Sequence, residues 1–523
     1  MVANAALVLD AGVDVIERLR QVREPLAVIR TDGGAAFAES GSFDPAALVA
    51  YVPGLAPESL GDRGLCADYG IRYACLSGSM ANGIASSALA IAMGKAGMLG
   101  FFGTGGVPMA EVKKALDEIQ AALGVDGPYG FNLLNNPTDP AHEEALIDLY
   151  IERGVRLAEA SAYLRVTAPL VRYRLHGIHR GPDGQVVTPN RLIAKVSRAE
   201  LATHFFAPAP DRVLKQLVEK GVLTAEQTVM AKEVPVAQDL TAEADSGGHT
   251  DNRPALLLVG SLTQLARQLQ AEHRFKMPLR VGLGGGVATP ASVAAAFTLG
   301  ASYVMLGSVT QACVESGTSD VVRRLLAQAK TTDVAMAPSA ALFEIGGQVQ
   351  VLKRGTMFAM RANKLNDLYR SCASLEEIPE ADRKMLEEKL FRASLETVWE
   401  QTRSFFAERD PKQLEKAERD PKVKMSLVFR AYLGQSSRWA LRGDDDRQDD
   451  YQIWCGPAMG AFNEWVAGSF LEAVENRSAA VVALNLMHGA AMVMRLQSLR
   501  MQGVDCGMGL ECVVPLDAEG LGR

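Results

Sequence analysis

One pattern constrains this chain more than any other. Between residues 73 and 306, short apolar runs alternate eight times with stretches of helix length. The runs are 73–76, 98–102, 129–133, 155–160, 192–196, 240–244, 280–283 and 303–306. Several gaps carry apolar residues at helical spacing, as in 85–95, 110–123 and 291–299. Strands separated by helices pair in parallel, because the chain must cross back before it starts the next strand. Eight such units predict a closed α/β (β/α)8 TIM barrel, a fold that usually takes roughly 250 residues. An open doubly wound sheet is the alternative. The gap after the fifth strand is too long for one helix. It predicts an inserted helical segment over about 198–238, with helices at 199–204, 211–220 and 224–232.

Outside the barrel the texture changes. Residues 1–65 read as an irregular N-terminal preface, with a short edge strand at 26–29. The barrel is expected over 66–330. A connecting segment, 331–375, carries one short strand at 348–352, and 376–523 is expected as a helical C-terminal domain. All four tryptophans, Trp399, Trp439, Trp454 and Trp465, fall in that domain, which makes its helices a candidate homodimer face. The run Glu408-Arg-Asp-Pro-Lys412 recurs at Glu418-Arg-Asp-Pro-Lys422. Asp followed by Pro is a helix start, because Asp caps the free amides and Pro needs no amide at the first helical position.

Composition narrows the function classes. Of 523 residues, 48% are hydrophobic and 22% charged, which is ordinary globular usage and excludes disordered, collagen-like and rod-like chains. With 54 basic against 61 acidic residues the net charge is −7, so there is no general pull toward nucleic acid or anionic lipid. The seven cysteines are scattered without metal-ligand spacing. The closest pair, Cys506 and Cys512, has no His nearby, so free thiols in a reducing compartment are expected, and no metal. Asp10, Asp14 and Glu17 argue against a secretory signal. The longest apolar run, 479–494, contains Asn485 and His488 and is too short and polar for a membrane span. The expectation is a cytoplasmic protein with no membrane and no nucleic-acid partner.

In a barrel of this kind the active site lies at the carboxyl ends of the strands, with phosphate held after the seventh and eighth. The seventh strand is followed by Gly284-Gly285-Gly286-Val-Ala-Thr289-Pro290, and the eighth by Gly307-Ser308. Glycines let backbone amides close on an anion without a Cβ in the way, and the helix that follows adds its N-terminal dipole. Two such turns at adjacent strand ends predict a phosphate site. The first strand leaves through Ser77, Gly78, Ser79 and Met80, the second through Gly103-Thr-Gly-Gly106, and the third ends near Asn132. Small and amide groups beside a phosphate site suit a flat hydrogen-bonding ring, which suggests flavin mononucleotide. Ordinary turns are the alternative, and for Gly103–Gly106 alone the better one. For Asn132, capping is as good a reading as ligand contact. Lys195 interrupts the apolar fifth strand, where a charge is costly unless paired. It either neutralises charge on a reduced flavin ring or pairs with Glu159 on the fourth strand. After the sixth strand, Asp245-Ser-Gly-Gly-His249-Thr-Asp251 sets an imidazole on a Gly-Gly turn beside two carboxylates. His249 is thus the candidate general acid or substrate anchor. Cys75 and Cys313 read as small core residues.

These motifs resemble a known superfamily. Ser77-Gly-Ser-Met80, Gly130-Phe-Asn132, Ala244-Asp-Ser-Gly-Gly-His249, Gly284-Gly-Gly286 and Leu306-Gly-Ser308 are similar to those of nitronate monooxygenases and flavin-dependent enoyl-ACP reductases. Three further segments, 242–254, 351–357 and 452–465, resemble the PfaD-type, trans-acting enoyl reductases of polyunsaturated fatty acid and polyketide synthases. The resemblance covers nearly the whole chain. It implies an FMN-bearing TIM barrel in which NADPH reduces FMN. Flavin N5 then passes hydride to the β-carbon of a 2-enoyl thioester on an acyl carrier protein. The α-carbon takes its proton from His249 or water. The family places the FMN phosphate on Gly284–Gly286 and Gly307–Ser308, and the ring near Ser77–Met80 and Asn132. The chain departs from the small reductases in reading Asp-Ser-Gly-Gly-His where they have Glu-Ala-Gly-Gly-His, and in its long insertion. Substrate contacts therefore do not transfer from the small enzymes. A nitronate monooxygenase-type flavin oxidase and a non-catalytic synthase docking protein are the competing readings.

Overall fold

The computed structural model describes residues 7–9, 13–31, 34–38, 44–135, 139–507, 509 and 513–521. Cys512 and Asp10 therefore lie outside the described residues. The chain forms two compact units: 1–244 with 253–316 and 464–523, and 245–252 with 317–463. These units interleave along the sequence. The stretch expected as one C-terminal domain, 376–523, is divided between them.

In the first unit all eight expected barrel strands form: β1 Cys75–Ser77, β2 Leu99–Phe102, β3 Tyr129–Leu134, β4 Leu157–Ser161, β5 Arg191–Val196, β6 Asp239–Glu243, β7 Arg280–Gly284 and β8 Val304–Leu306. Each pairs in parallel with its neighbours in chain order, and β8 pairs with β1, which closes the barrel. The register runs from Asn132 to Glu159, Ile193, Asp239 and Arg280. That line starts near the carboxyl end of β3 and finishes at the first residue of β7, which is the strand tilt that closure requires. Leu76, Leu99, Phe101, Leu157, Ile193, Tyr303 and Met305 fill the interior as one buried cluster.

The amino end of the barrel is plugged. Helix Arg63–Tyr69 puts Leu65 into the cluster, and its cap Asp62 accepts from the Leu65 amide. Arg280, 4% exposed, reaches Asp68 at 2.7 Å, Asp62 at 3.3 Å and Asp239 at 3.4 Å. Tyr69 donates to Asp239. With that end closed by a helix and an ion-pair network, the carboxyl end is the one left for chemistry.

The helical insertion forms as Ala199–Phe206, Asp211–Glu219 and Ala225–Met230. A small hairpin, His179–Arg180 with Val186–Val187, leaves no periodic signal in the sequence because each arm is only two residues long. The preface is more ordered than expected. Leu26–Thr31 pairs on both sides, with Gly34–Phe37 and Leu48–Val52, so it is a central strand and not an edge strand. The apolar run 479–494 belongs to one helix, Ala479–Met501, long and apolar enough by length to cross a membrane. It is instead largely buried in the first unit. Gly489 lies so close to helix Pro290–Thr298 that a Cβ there would sit 2.6 Å from the Pro290 ring. Asn485 and Arg495 are buried with polar atoms bonded to backbone.

The second unit combines a three-stranded antiparallel sheet, ordered Gly248–His249, Gln348–Leu352, Val334–Pro338, with the helices from Phe358–Ser371 to Pro421–Arg442. Asp410 and Asp420 cap helices Pro411–Arg419 and Pro421–Arg442, as the repeated Asp-Pro predicts. Trp399, Trp439 and Trp454 pack against this unit's own core, and Trp465 in the first unit donates to the Val513 carbonyl. Each tryptophan is thus partly packed within its own unit. The six described cysteines are free, and Cys75 and Cys313 are fully buried.

Candidate functional site

At the carboxyl end of the first unit's barrel, β7 and β8 are hydrogen-bonded neighbours, so the turns after them abut. Gly285 and Gly286 take φ of +88° and +72°, a left-handed backbone that glycine adopts without penalty. Thr289 then caps helix Pro290–Thr298, with Ser292 closing a capping box. After β8, the Gly307 carbonyl accepts from Gln311 N at 3.0 Å and Thr310 Oγ1 at 2.9 Å, which turns the chain directly into helix Ser308–Gln311. A Cβ at Gly286 or at Gly307 would meet no protein atom within 4 Å. Two bare backbone turns therefore face open space side by side. This donor set and this clearance fit the phosphate of a mononucleotide.

Around the rest of the mouth, alternation along each strand sorts the candidates. Leu76 points into the core, so Ser77 faces outward, where its hydroxyl donates to Thr310 Oγ1 at 3.2 Å. Ser77 thereby braces the turn after β8. Gly78 donates to the Leu306 carbonyl at 3.0 Å and lies over Met305, whose Sδ would be 2.8 Å from a Cβ. Ser79 donates its amide to Glu159 Oε2 at 3.0 Å, and its hydroxyl bonds the same oxygen. Met80 lies on the loop that hydrogen-bonds across to Gly103 and Gly105. Asn132 is 3% exposed. Its Nδ2 donates to the Glu159 carbonyl at 3.1 Å and Ser161 Oγ at 2.9 Å.

Lys195 Nζ lies 3.4 Å from Glu159 Oε2, with the two side chains 14% and 0% exposed. Burial pulls the Lys195 pKa down, but Glu159 and Glu243 outweigh it and hold the ammonium charged, above its ordinary value. Glu159 thus gathers Ser79 and Lys195 on one oxygen. Its other oxygen, Oε1, is buried with no hydrogen-bond partner among the described residues. The sequence pairs Glu159 with Lys195 but does not reveal that Ser79 shares it. Two barrel strands and the loop after β1 supply this group, and only closure brings them together.

His249 belongs to the second unit. Gly248 and His249 pair antiparallel with Gln350 and Val349. His249 is exposed, and its Nε2 lies 3.4 Å from Ser339 Oγ. Desolvation by the surrounding protein lowers its pKa below the ordinary value, which favours neutral imidazole. Asp245 does not serve the ring as its position in sequence suggested. Its Oδ1 accepts from Gln350 Nε2 and Asn252 Nδ2, each at 2.8 Å. The turn is clamped on its other side. A Cβ at Gly247 would lie 2.7 Å from the Cys455 amide nitrogen, so only glycine fits. Leu352 N donates to the Ile453 carbonyl at 2.8 Å, and Val351 bridges Trp454. The segments 245–252, 348–352 and 452–456 therefore converge on one turn. Ser339 and Gln350 carry no local mark in the sequence; their place is set by long-range antiparallel pairing.

Among the described residues no group of His, Cys, Asp or Glu is gathered to hold a metal ion.

The chain is similar to proteins of known families. Residues 67–345 match the family model for nitronate monooxygenase, and residues 372–451 match the inserted helical domain of [acyl-carrier-protein] S-malonyltransferase. The chain is 46% identical over 448 residues to one component of the polyunsaturated fatty acid synthase of Thraustochytrium, covering 84% of this chain and 30% of that one. It is 43% identical over 448 residues to polyketide biosynthesis protein PksE of Bacillus subtilis, covering 85% of this chain and 58% of that one. The chain thus spans less than two thirds of the length of either relative. Among solved structures, the enoyl reductase domain of MlnA from the macrolactin cluster of Bacillus amyloliquefaciens superposes with a TM-score of 0.81 at 40% identity. That match covers 85% of this chain and 99% of the domain.

Proposed function

Because the chain belongs to the nitronate monooxygenase family, on the branch of the PfaD-type enoyl reductases of polyunsaturated fatty acid and polyketide synthases, we propose that it is a trans-acting FMN-dependent enoyl reductase. In this reading FMN, when bound, carries hydride from NADPH to the β-carbon of a 2-enoyl thioester held on an acyl carrier protein. The observation that carries the reading is the pair of adjacent glycine turns after β7 and β8 with open space before Gly286 and Gly307. Backbone amides of Gly285, Gly286 and Ser308 would receive the phosphate. Gly78, Ser79, Met80 and Asn132 would line the ring, with Ser77 and Gly284 shaping the turns behind it. Lys195 supplies a positive charge at the mouth, and Glu159 holds it in place at 3.4 Å. His249 or water would give the α-carbon its proton, with Ser339 Oγ 3.4 Å from the His249 Nε2.

The test is spectroscopic and kinetic. The purified protein should show a flavin absorption spectrum and should oxidise NADPH rapidly only when an enoyl thioester is present. Fast aerobic turnover of a nitronate without NADPH would favour the oxidase reading. A protein that never takes up FMN would leave only the docking reading.

A further inference from the structure

The first unit leaves three leucines bare at one sector of the barrel mouth. Leu164 is 83% exposed, Leu256 64% and Leu257 70%. Leu164 lies three residues past β4, and Leu256 and Leu257 sit in the first turn of helix Ala255–His273, which leads from β6 toward β7. Single exposed leucines are unremarkable, but a contiguous group is not. Here the elements that carry them are linked through packing. Tyr163, beside Leu164, meets Phe205 edge-on at 6.3 Å, and the helix bearing Phe205, Ala199–Phe206, packs against helix Ala255–His273. The three leucines therefore share the rim above β4, β5 and β6, which are consecutive in the barrel.

The loop that presents Leu164 is built to stay put. Ala162 holds φ at +58°, a left-handed conformation that costs a non-glycine residue. On either side of Leu164 and Arg165, Tyr163 OH and Thr167 Oγ1 donate to the same buried carboxylate oxygen of Glu143, at 2.8 and 2.7 Å. A strained, pinned loop that pushes a leucine into solvent is a presentation device.

Charge identifies what it is presented to. Arg165 follows Leu164, and Arg253 precedes the other two leucines. Both are exposed, and neither is in an ion pair among the described residues. Arg198, also exposed, opens the helix between them. Exposed Glu200 and Asp251 on the same segments offset two of the three arginines, which leaves the leucine-bearing rim with a net positive charge that, on a chain of net charge −7, favours an acidic partner. A second copy of the chain is disfavoured, because a two-fold contact would bring the same arginines face to face.

We propose that this rim, Leu164, Arg165, Arg253, Leu256 and Leu257, is the docking surface for an acidic acyl carrier protein. The carrier places its thioester arm at the barrel mouth from there. The assignment rests on the enoyl reductase reading for the identity of its partner, but its test does not depend on turnover.

The test uses the full-length double variant Arg165→Glu/Arg253→Glu and, separately, Leu164→Asp. Each is titrated against an acyl carrier protein with a fluorophore on its phosphopantetheine arm, followed by anisotropy at two salt concentrations. Affinity should fall at least ~10-fold in each variant, and the charge-reversal variant should lose most of its salt dependence. Turnover of a crotonyl N-acetylcysteamine thioester, which carries no carrier, should stay within about twofold of the parent, which also shows that the fold is intact. Unchanged carrier affinity in both variants overturns the assignment. So does intact carrier affinity with an altered oligomeric state in light scattering, which would make the rim a contact between copies. If the parent reduces no enoyl thioester, the functional reading fails, and the anisotropy result still decides the docking surface.

Discussion

Replacing Gly286 by Ala adds one methyl group at a position whose φ is +72°. That methyl would meet no protein atom within 4 Å, so its cost to folding is conformational alone. A left-handed backbone costs an L residue about 1–2 kcal/mol. Gly221, just past helix Asp211–Glu219 in the insertion, is a matched control: its φ is +69°, and a Cβ there also meets nothing within 4 Å. Gly221→Ala should therefore lose the same stability in urea denaturation. The two variants should part in their affinity for FMN. If the space before Gly286 receives the phosphate, the methyl lengthens or breaks at least one amide-to-phosphate hydrogen bond. Bonds to a charged group contribute about 1.5–3 kcal/mol, so FMN should bind roughly 10- to 150-fold more weakly to Gly286→Ala. Quenching of flavin fluorescence on titrating the apo-protein measures this directly. Equal FMN affinity in the two variants would refute the placement of the phosphate, whatever their activities.

Further outcomes follow from the same geometry. Lys195→Met strands the fully buried Glu159 carboxylate and should cost about 3–5 kcal/mol in apo-protein unfolding; the double variant with Glu159→Gln should recover most of it, and a single-variant loss too small to measure would show that the pair is not coupled. Gly247→Ala forces a Cβ to within 2.7 Å of the Cys455 amide and should destabilise the second unit by about 1–3 kcal/mol, read by limited proteolysis; an unchanged cleavage rate counts against the clamp. His249→Gln should slow the half-reaction with enoyl thioester more than it weakens FMN binding, and equal loss of both would count against a proton-donating role. Burial lowers the His249 pKa, so the folded state resists taking up its proton. The stability linked to this residue is complete above the ordinary value of 6.5 and falls as pH drops below it. Thermal melts from pH 8 to 5 should therefore show a smaller loss in His249→Gln than in the parent, and parallel losses would disprove the linkage.

The rim above β4 to β6 and the glycine turns after β7 and β8 illustrate two kinds of sequence information. The turns were legible because their chemistry is local: adjacent glycines admit the left-handed backbone and keep side chains off an anion. The rim was not legible. Leu164, Leu256 and Leu257 look like ordinary apolar residues until the packing of Tyr163 on Phe205, and of one helix on the next, shows that they share an edge.

Local pattern was enough to read the eight barrel strands and the helical insertion, from alternating apolar runs, and the helices that begin at Pro411 and Pro421, from their Asp-Pro caps. Tertiary structure alone decided that 245–252 joins the unit containing 317–463, that Ser77 faces away from the barrel interior, and that Glu159 serves both Ser79 and Lys195. It also turned the expected edge strand at 26–29 into a central one. These outcomes depend on the sense of strand pairing and on closure of the barrel. Both are set by contacts between residues far apart in the chain, whose energies no local window contains.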